Sequence, residues 1–162
     1  MSLVQAIVLL VALQRLAELA YARRNTRRLL AAGGLEVGSS YYPLFIILHG
    51  SWLAALLVLV PADAPIHWGL VGLFVALQAG RLWVIASLGG RWTTRVITLP
   101  GAPLVRRGPY RWLRHPNYLI VAAEVAVLPL AFGAWEIALV FSALNLPLLA
   151  YRIRVENQAL SA

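Results

Sequence analysis

The stretch GPYRWLRHPNYLIVAAEVAVLPLAFGAWEIALVFSALNLPLLAYRIRVEN, Gly108 to Asn157, decides the fold. It contains two apolar runs, about 117–133 and 135–151, separated only by Phe132-Gly133-Ala134-Trp135. A helix needs about 20 apolar residues to cross a hydrocarbon core of ~30 Å, and both runs come near that length. So tight a connection makes them an antiparallel hairpin. Outward from it, three further apolar runs cover about 2–20, 43–60 and 66–87. We therefore expect an all-α integral membrane protein of about five transmembrane helices, forming a single domain over residues 1–162.

Composition agrees. Only 12% of residues are charged and the mean hydropathy is +0.77, whereas soluble domains carry about 25% charged residues. The absence of cysteine excludes disulfide frameworks, thiol nucleophiles and Cys-based metal sites. His49, His67 and His115 are too scattered for a metal cage, and we expect no metal. Ser2–Ala20 lacks a positive leading region and is interrupted by Arg15 and Glu18, so it reads as an uncleaved first span rather than a signal peptide.

All 14 basic residues are arginine, which points to a GC-rich, bacterial source. Arg23, Arg24, Arg27 and Arg28 follow the first span; Arg91, Arg95, Arg106, Arg107, Arg111 and Arg114 follow the third; Arg152 and Arg154 follow the fifth. The positive-inside bias then sets the N-terminus outside and the C-terminus in the cytoplasm of a bacterial inner (plasma) membrane. The same bias accounts for the basic loops without nucleic acid, leaving membrane lipids as their nearer partners.

The remaining charges are expected near one depth of the membrane: Arg15 and Glu18 in the first span, His49 in the second, Arg81 in the third and Glu124 in the fourth. Such groups pair or face a cavity. Arg15 and Glu18 are spaced to pair within one helix, and Arg81 is placed to meet Glu124. We take Arg15, His49, Arg81 and Glu124 as candidate linings of a substrate cavity, with structural ion pairing as the competing reading. The six tryptophans are expected mainly at the interfaces.

Between the third and fourth spans lies a Pro/Gly/Arg-rich cytoplasmic loop with Pro100, Pro103, Pro109 and Pro116. Pro116 suits the first position of the fourth helix. The N–H groups of Asn117, Tyr118 and Leu119 are then expected to face the loop unpaired, flanked by Arg114 and His115, as a site for a carboxylate or phosphate. Arg152 and Glu156 share one helix face at i,i+4, and the hairpin returns that face to the same corner. N–H donors opposite an arginine and a carboxylate suit a zwitterionic ligand.

These residues resemble a known family. GPYRWLRHPNY, the apolar hairpin and YRIRVENQAL are similar to the C-terminal part of the isoprenylcysteine carboxyl methyltransferases, membrane enzymes that use S-adenosylmethionine. RLAELAYARRN (Arg15–Asn25), GGLEVGSSYYP (Gly33–Pro43), His49 and RWTTRVITLPGAPLVRRGPY resemble a bacterial branch associated with type III polyketide synthases. The resemblance implies that His115, Pro116 and Tyr118 bind S-adenosylmethionine, with Gly108 and Tyr110 shaping its approach. Arg152 and Glu156 would match an Arg-and-acid pair near cofactor and substrate. The family often ends in a double acid, but here Glu156 is followed by Asn157.

The implied activity is O-methylation of a lipophilic acceptor of the alkylpyrone, alkylresorcinol or isoprenylcysteine type, entering from the inner leaflet. A phospholipid N-methyltransferase, an NADPH-dependent membrane reductase and a lipid-binding scaffold are the other readings. The arginine distribution makes its own prediction: a fluorescent protein that folds only in the cytoplasm should light up at the C-terminus and stay dark at the N-terminus. The reverse pattern would refute the orientation.

Overall fold

The computed structural model describes residues 1–161. Five α-helices form the bundle: α1 Leu3–Ala31, α2 Tyr42–Leu59, α3 Trp68–Leu88, α4 Pro116–Ala131 and α5 Trp135–Ser161. Four of them are long and apolar enough to span a membrane, and α4 is a shorter apolar helix. The chain is thus an all-α, multi-pass membrane protein of about five helices. At 1.5 Å per residue, α4 is only about 24 Å long, short of the ~30 Å core.

The hairpin forms where it was expected. Gly133 sits at φ +70°, a conformation glycine adopts without penalty. The N–H of Ala134 reaches the Pro129 carbonyl at 3.0 Å and that of Gly133 reaches Leu130 at 3.0 Å. This pair of bonds is a Schellman cap that stops α4 and turns the chain into α5.

Three readings need adjustment. The first helix does not stop near residue 20 but runs to Ala31, so Arg23, Arg24, Arg27 and Arg28 lie on helix rather than in a loop. Ala, Leu and Arg are strong helix formers, and Asn25 anchors the extension by donating to the carbonyls of Gly89 (3.2 Å) and Trp92 (2.8 Å). The loop before α4 also holds a strand that its punctuation did not signal. Its Val96–Thr98 segment (β2) pairs antiparallel with Leu35–Val37 (β1), matching Leu35 with Thr98 and Val37 with Val96. Nor do all tryptophans mark interfaces. Trp52 and Trp92 are fully buried, because they fill gaps in two separate apolar clusters.

The membrane-embedded charges close on one another. Arg81 Nε donates to both oxygens of Glu18 at 2.9 Å, and its Nη1 reaches Glu124 Oε2 at 3.1 Å. Arg15 binds Glu18 at 2.9 Å and Glu124 at 2.8 Å. Gln14 and Gln78, bonded to each other at 2.7 Å, supply Glu18 and Glu124 with further donors. The two arginines neutralise the two carboxylates, so the cluster carries no net charge out of water.

This network joins α1, α3 and α4. Removing Glu124 leaves Arg15 and Arg81 sharing the one carboxylate of Glu18, with one buried positive charge uncompensated, and breaking a buried pair this way costs about 3–5 kcal/mol. Glu124→Ala should therefore lower the unfolding temperature in detergent well below that of Leu119→Ala, a lipid-exposed substitution. Equal effects would show that the cluster contributes little.

Candidate active site

One end of the bundle gathers the end of α1, β1, β2, the loop before α4 and the end of α5. There a cleft of about 1010 Å³ opens. Its walls come from β2, the proline-rich loop, the start of α4 and the last turns of α5, and include Tyr110, His115, Asn117, Tyr118, Arg152 and Glu156.

The corner is built from local constraints. His115 holds φ −131° and ψ 58°, outside the helical region, as a following proline requires. Pro116 then opens α4. Upstream, Gly108 adopts φ +58°, and a Cβ there would run into the Ser87 side chain at the end of α3. Arg107 Nε donates to the Ser87 carbonyl at 2.6 Å, fastening the loop to α3 at the same point. Pro109 is buried, and Tyr110 packs beside Ala22, Val84 and Trp92. Burial, and then the Glu156 carboxylate, raise the Tyr110 hydroxyl above its ordinary value, so it remains a donor.

Across the hairpin the side chains interlock. The Tyr118 hydroxyl donates to Glu156 Oε2 and accepts from Arg152 Nε at 2.9 Å. His115 stacks on the Tyr118 ring with centroids 5.5 Å apart. Its Nδ1 lies 3.9 Å from Glu156 Oε2, and its Nε2 is 3.0 Å from Asn157 Oδ1. The Arg152 guanidinium lies over the rings of Phe45 and Tyr118, 5.1 and 5.3 Å from their centroids. At position 157 His115 therefore meets a neutral amide oxygen rather than a second carboxylate.

The structure thus brings His115, Tyr118, Arg152 and Glu156 together, with Tyr110 and Asn117 on the same cleft. Gly108, Pro116 and Leu119 are not among the cleft-lining residues; Gly108 and Pro116 set backbone direction, and Leu119 is exposed. The N–H of Tyr118 is not open as expected, because it donates to the His115 carbonyl at 3.2 Å in a tightened first turn. Arg15, Arg81 and Glu124 are engaged in their own network. His49 Nδ1 lies 2.9 Å from the Phe45 carbonyl on α2, and the ring does not line this cleft.

One polar residue escaped the sequence reading. Asn145 on α5 is fully buried, and neither amide atom has a partner among the described residues. An asparagine in the middle of an apolar span was the available signal.

A polar cleft thus opens at one end of a helical membrane bundle, with a cation, a carboxylate, an imidazole and a phenol converging on it. The isoprenylcysteine carboxyl methyltransferase (ICMT) family model matches residues 70–162, which contain the hairpin and every residue of that cluster. The chain belongs to the ICMT family and is, in class, a membrane methyltransferase. It is similar to the uncharacterized protein YpbQ of Bacillus subtilis, with 37% identity over 95% of this chain and 94% of that protein. It is also similar to an uncharacterized protein of Haemophilus influenzae, at 29% identity over 85% of this chain and 83% of the other. No solved structure matches it.

The Gly108 junction can be tested directly. Gly108→Ala combines a left-handed backbone, which costs a residue with a side chain about 1–3 kcal/mol, with the clash at Ser87. The unfolding temperature in detergent should fall, and adding Ser87→Gly should restore part of the loss. Full restoration would mean that backbone strain plays no part.

Proposed function

We propose that this protein transfers a methyl group from S-adenosylmethionine to an oxygen of a lipophilic acceptor, with the donor in the polar cleft and the acceptor approaching from the inner leaflet. The observation that carries this reading is the Tyr118–Arg152–Glu156–His115 cluster at the cleft wall. In this orientation the arginine-rich end faces the cytoplasm.

The residues present fit the donor. Family members generally use S-adenosylmethionine, which when bound supplies an electrophilic methyl on a sulfonium. Glu156 and the stacked His115 and Tyr118 rings offer a carboxylate and aromatic faces, both attractive to a cation. Asn117 Oδ1, buried and without a partner, offers an acceptor on the same wall. Arg111 and Arg114 line the cleft and suit a carboxylate.

The chain's own part is chiefly alignment, which converts a two-body reaction into an oriented one. Tyr118 is held between Arg152 and Glu156, so its position does not depend on a flexible side chain alone. Arg152, fixed over Phe45 and Tyr118, can hold an anionic acceptor oxygen at the end of α5. An ionised enol or carboxylate needs only that orientation. For a phenol, His115 and Glu156 are the groups placed to take the proton. The short α4 lets this corner sit close to the apolar layer, where a lipophilic acceptor reaches it without leaving the bilayer. We favour a small amphiphile with an acidic hydroxyl, such as an alkylpyrone or alkylresorcinol, on the resemblance of the N-terminal half.

Calorimetry in detergent provides the test. Wild-type protein should bind S-adenosylmethionine saturably. Arg152→Ala and Glu156→Ala should weaken binding by tenfold or more, and His115→Ala should weaken it too. His67→Ala, at the opposite end of the bundle, should leave it unchanged. Binding of NADPH but not S-adenosylmethionine would sink the proposal.

A further inference from the structure

A second, smaller hollow of about 180 Å³ lies beside the main cleft, where α2 begins. Arg23 and Arg27 project into it from one face of α1, one turn apart, with Thr26 beside them. The far wall carries Thr94, Arg95 and Tyr42. The Tyr42 hydroxyl and Thr94 Oγ1 are 3.0 Å apart, and the Arg95 guanidinium lies 4.4 Å from the Tyr42 ring centroid.

The charges here do not balance. Arg95 is paired with Glu36 at 2.7 Å, but Arg23 and Arg27 have no carboxylate partner among the described residues. Like charges at i,i+4 repel each other, so three guanidiniums facing one carboxylate leave a concave surface in need of an anion. Guanidiniums with hydroxyl donors beside them suit a phosphate, which several N–H and O–H groups can bind together.

Position selects among phosphates. The outward residues of α2 just beyond this hollow, Leu44, Ile46 and Ile47, are apolar and exposed, 53%, 44% and 64% respectively. Ile46 lines the hollow itself. A ligand seated here has its phosphate against the arginines and an apolar surface leading along α2 into the bilayer.

We propose that this hollow binds the phosphodiester headgroup of an anionic phospholipid, with Arg23 and Arg27 as its main ligands and the acyl chains lying along α2. Arg95 lines both this hollow and the main cleft, so the headgroup sits beside the segment that leads into β2 at the cleft wall. The site is independent of the methyltransferase reading, because it shares neither His115 nor the Arg152–Glu156 pair.

Native mass spectrometry of delipidated protein tests it, with phosphatidylglycerol and phosphatidylcholine supplied in equal amounts. Wild-type protein should retain one phosphatidylglycerol at least tenfold in preference to phosphatidylcholine. The double variant Arg23→Gln/Arg27→Gln should lose that preference. Arg24→Gln/Arg28→Gln, with the same charge change on the same helix, should keep it. Equal loss in both variants would reduce the effect to diffuse surface charge, and retention in Arg23→Gln/Arg27→Gln would place the lipid elsewhere; either overturns the site. A parallel arm adds inorganic phosphate to protein in phosphatidylcholine nanodiscs. Saturable binding of free phosphate as tight as that of phosphatidylglycerol would overturn the lipid assignment.

Discussion

The ion cluster of Arg15, Glu18, Arg81 and Glu124 is the constraint on which the rest of the structure depends. Inside a bilayer, apolar side chains gain little by leaving lipid for a neighbouring helix, so helix association rests on close packing and polar contacts. Here two guanidiniums and two carboxylates from α1, α3 and α4 share their hydrogen bonds, with Gln14 and Gln78 filling further positions. Each member would be costly to bury alone. Together they fix the rotation and depth of three helices, because a rotation of any one would strand a charge.

That fixed geometry governs the alignment at the arginine-rich end. The ends of α1 and α3 meet through Asn25, whose amide holds the chain around Gly89 and Trp92. That junction presents the loop, and Ser87, Gly108 and Arg107 fasten the loop back to α3. Pro116 then begins α4 beside α5, and the Schellman turn at Gly133 returns α5 in a register that sets Arg152 and Glu156 against Tyr118. The site is thus assembled by two covalently close helices and braced by more distant ones. Its polar side chains are held by one another.

The membrane class, the five helices, the hairpin and the conjunction of RHPNY with the end of α5 were all legible in the chain. Run length, a four-residue connection and i,i+4 spacing are local properties, and local geometry converts them directly into structure. The Arg15–Glu18 pair was legible for the same reason. The pairing of β1 with β2 was not, because two three-residue strands separated by two membrane spans leave no periodic trace. The helical extension past residue 20 was hidden because clustered arginines read as a loop until Asn25 is seen to be buried. Trp52 and Trp92 looked like interface markers because residue type carries no information about which side of a helix meets a neighbour.

By itself, then, the sequence determined what must be solvated and what must not: which segments are apolar enough to enter lipid, which residues turn the chain, and which short motifs meet at one corner. Only the tertiary structure decided partnership. It crossed Arg81 to Glu18 and Arg15 to Glu124, set His115 against Asn157, and brought Arg23 and Arg27 around one hollow with Arg95. Hydrophobic transfer and backbone geometry act residue by residue, so they can be read along the chain. Charge pairing between helices depends on rotation and depth, which are set only when all the helices have packed.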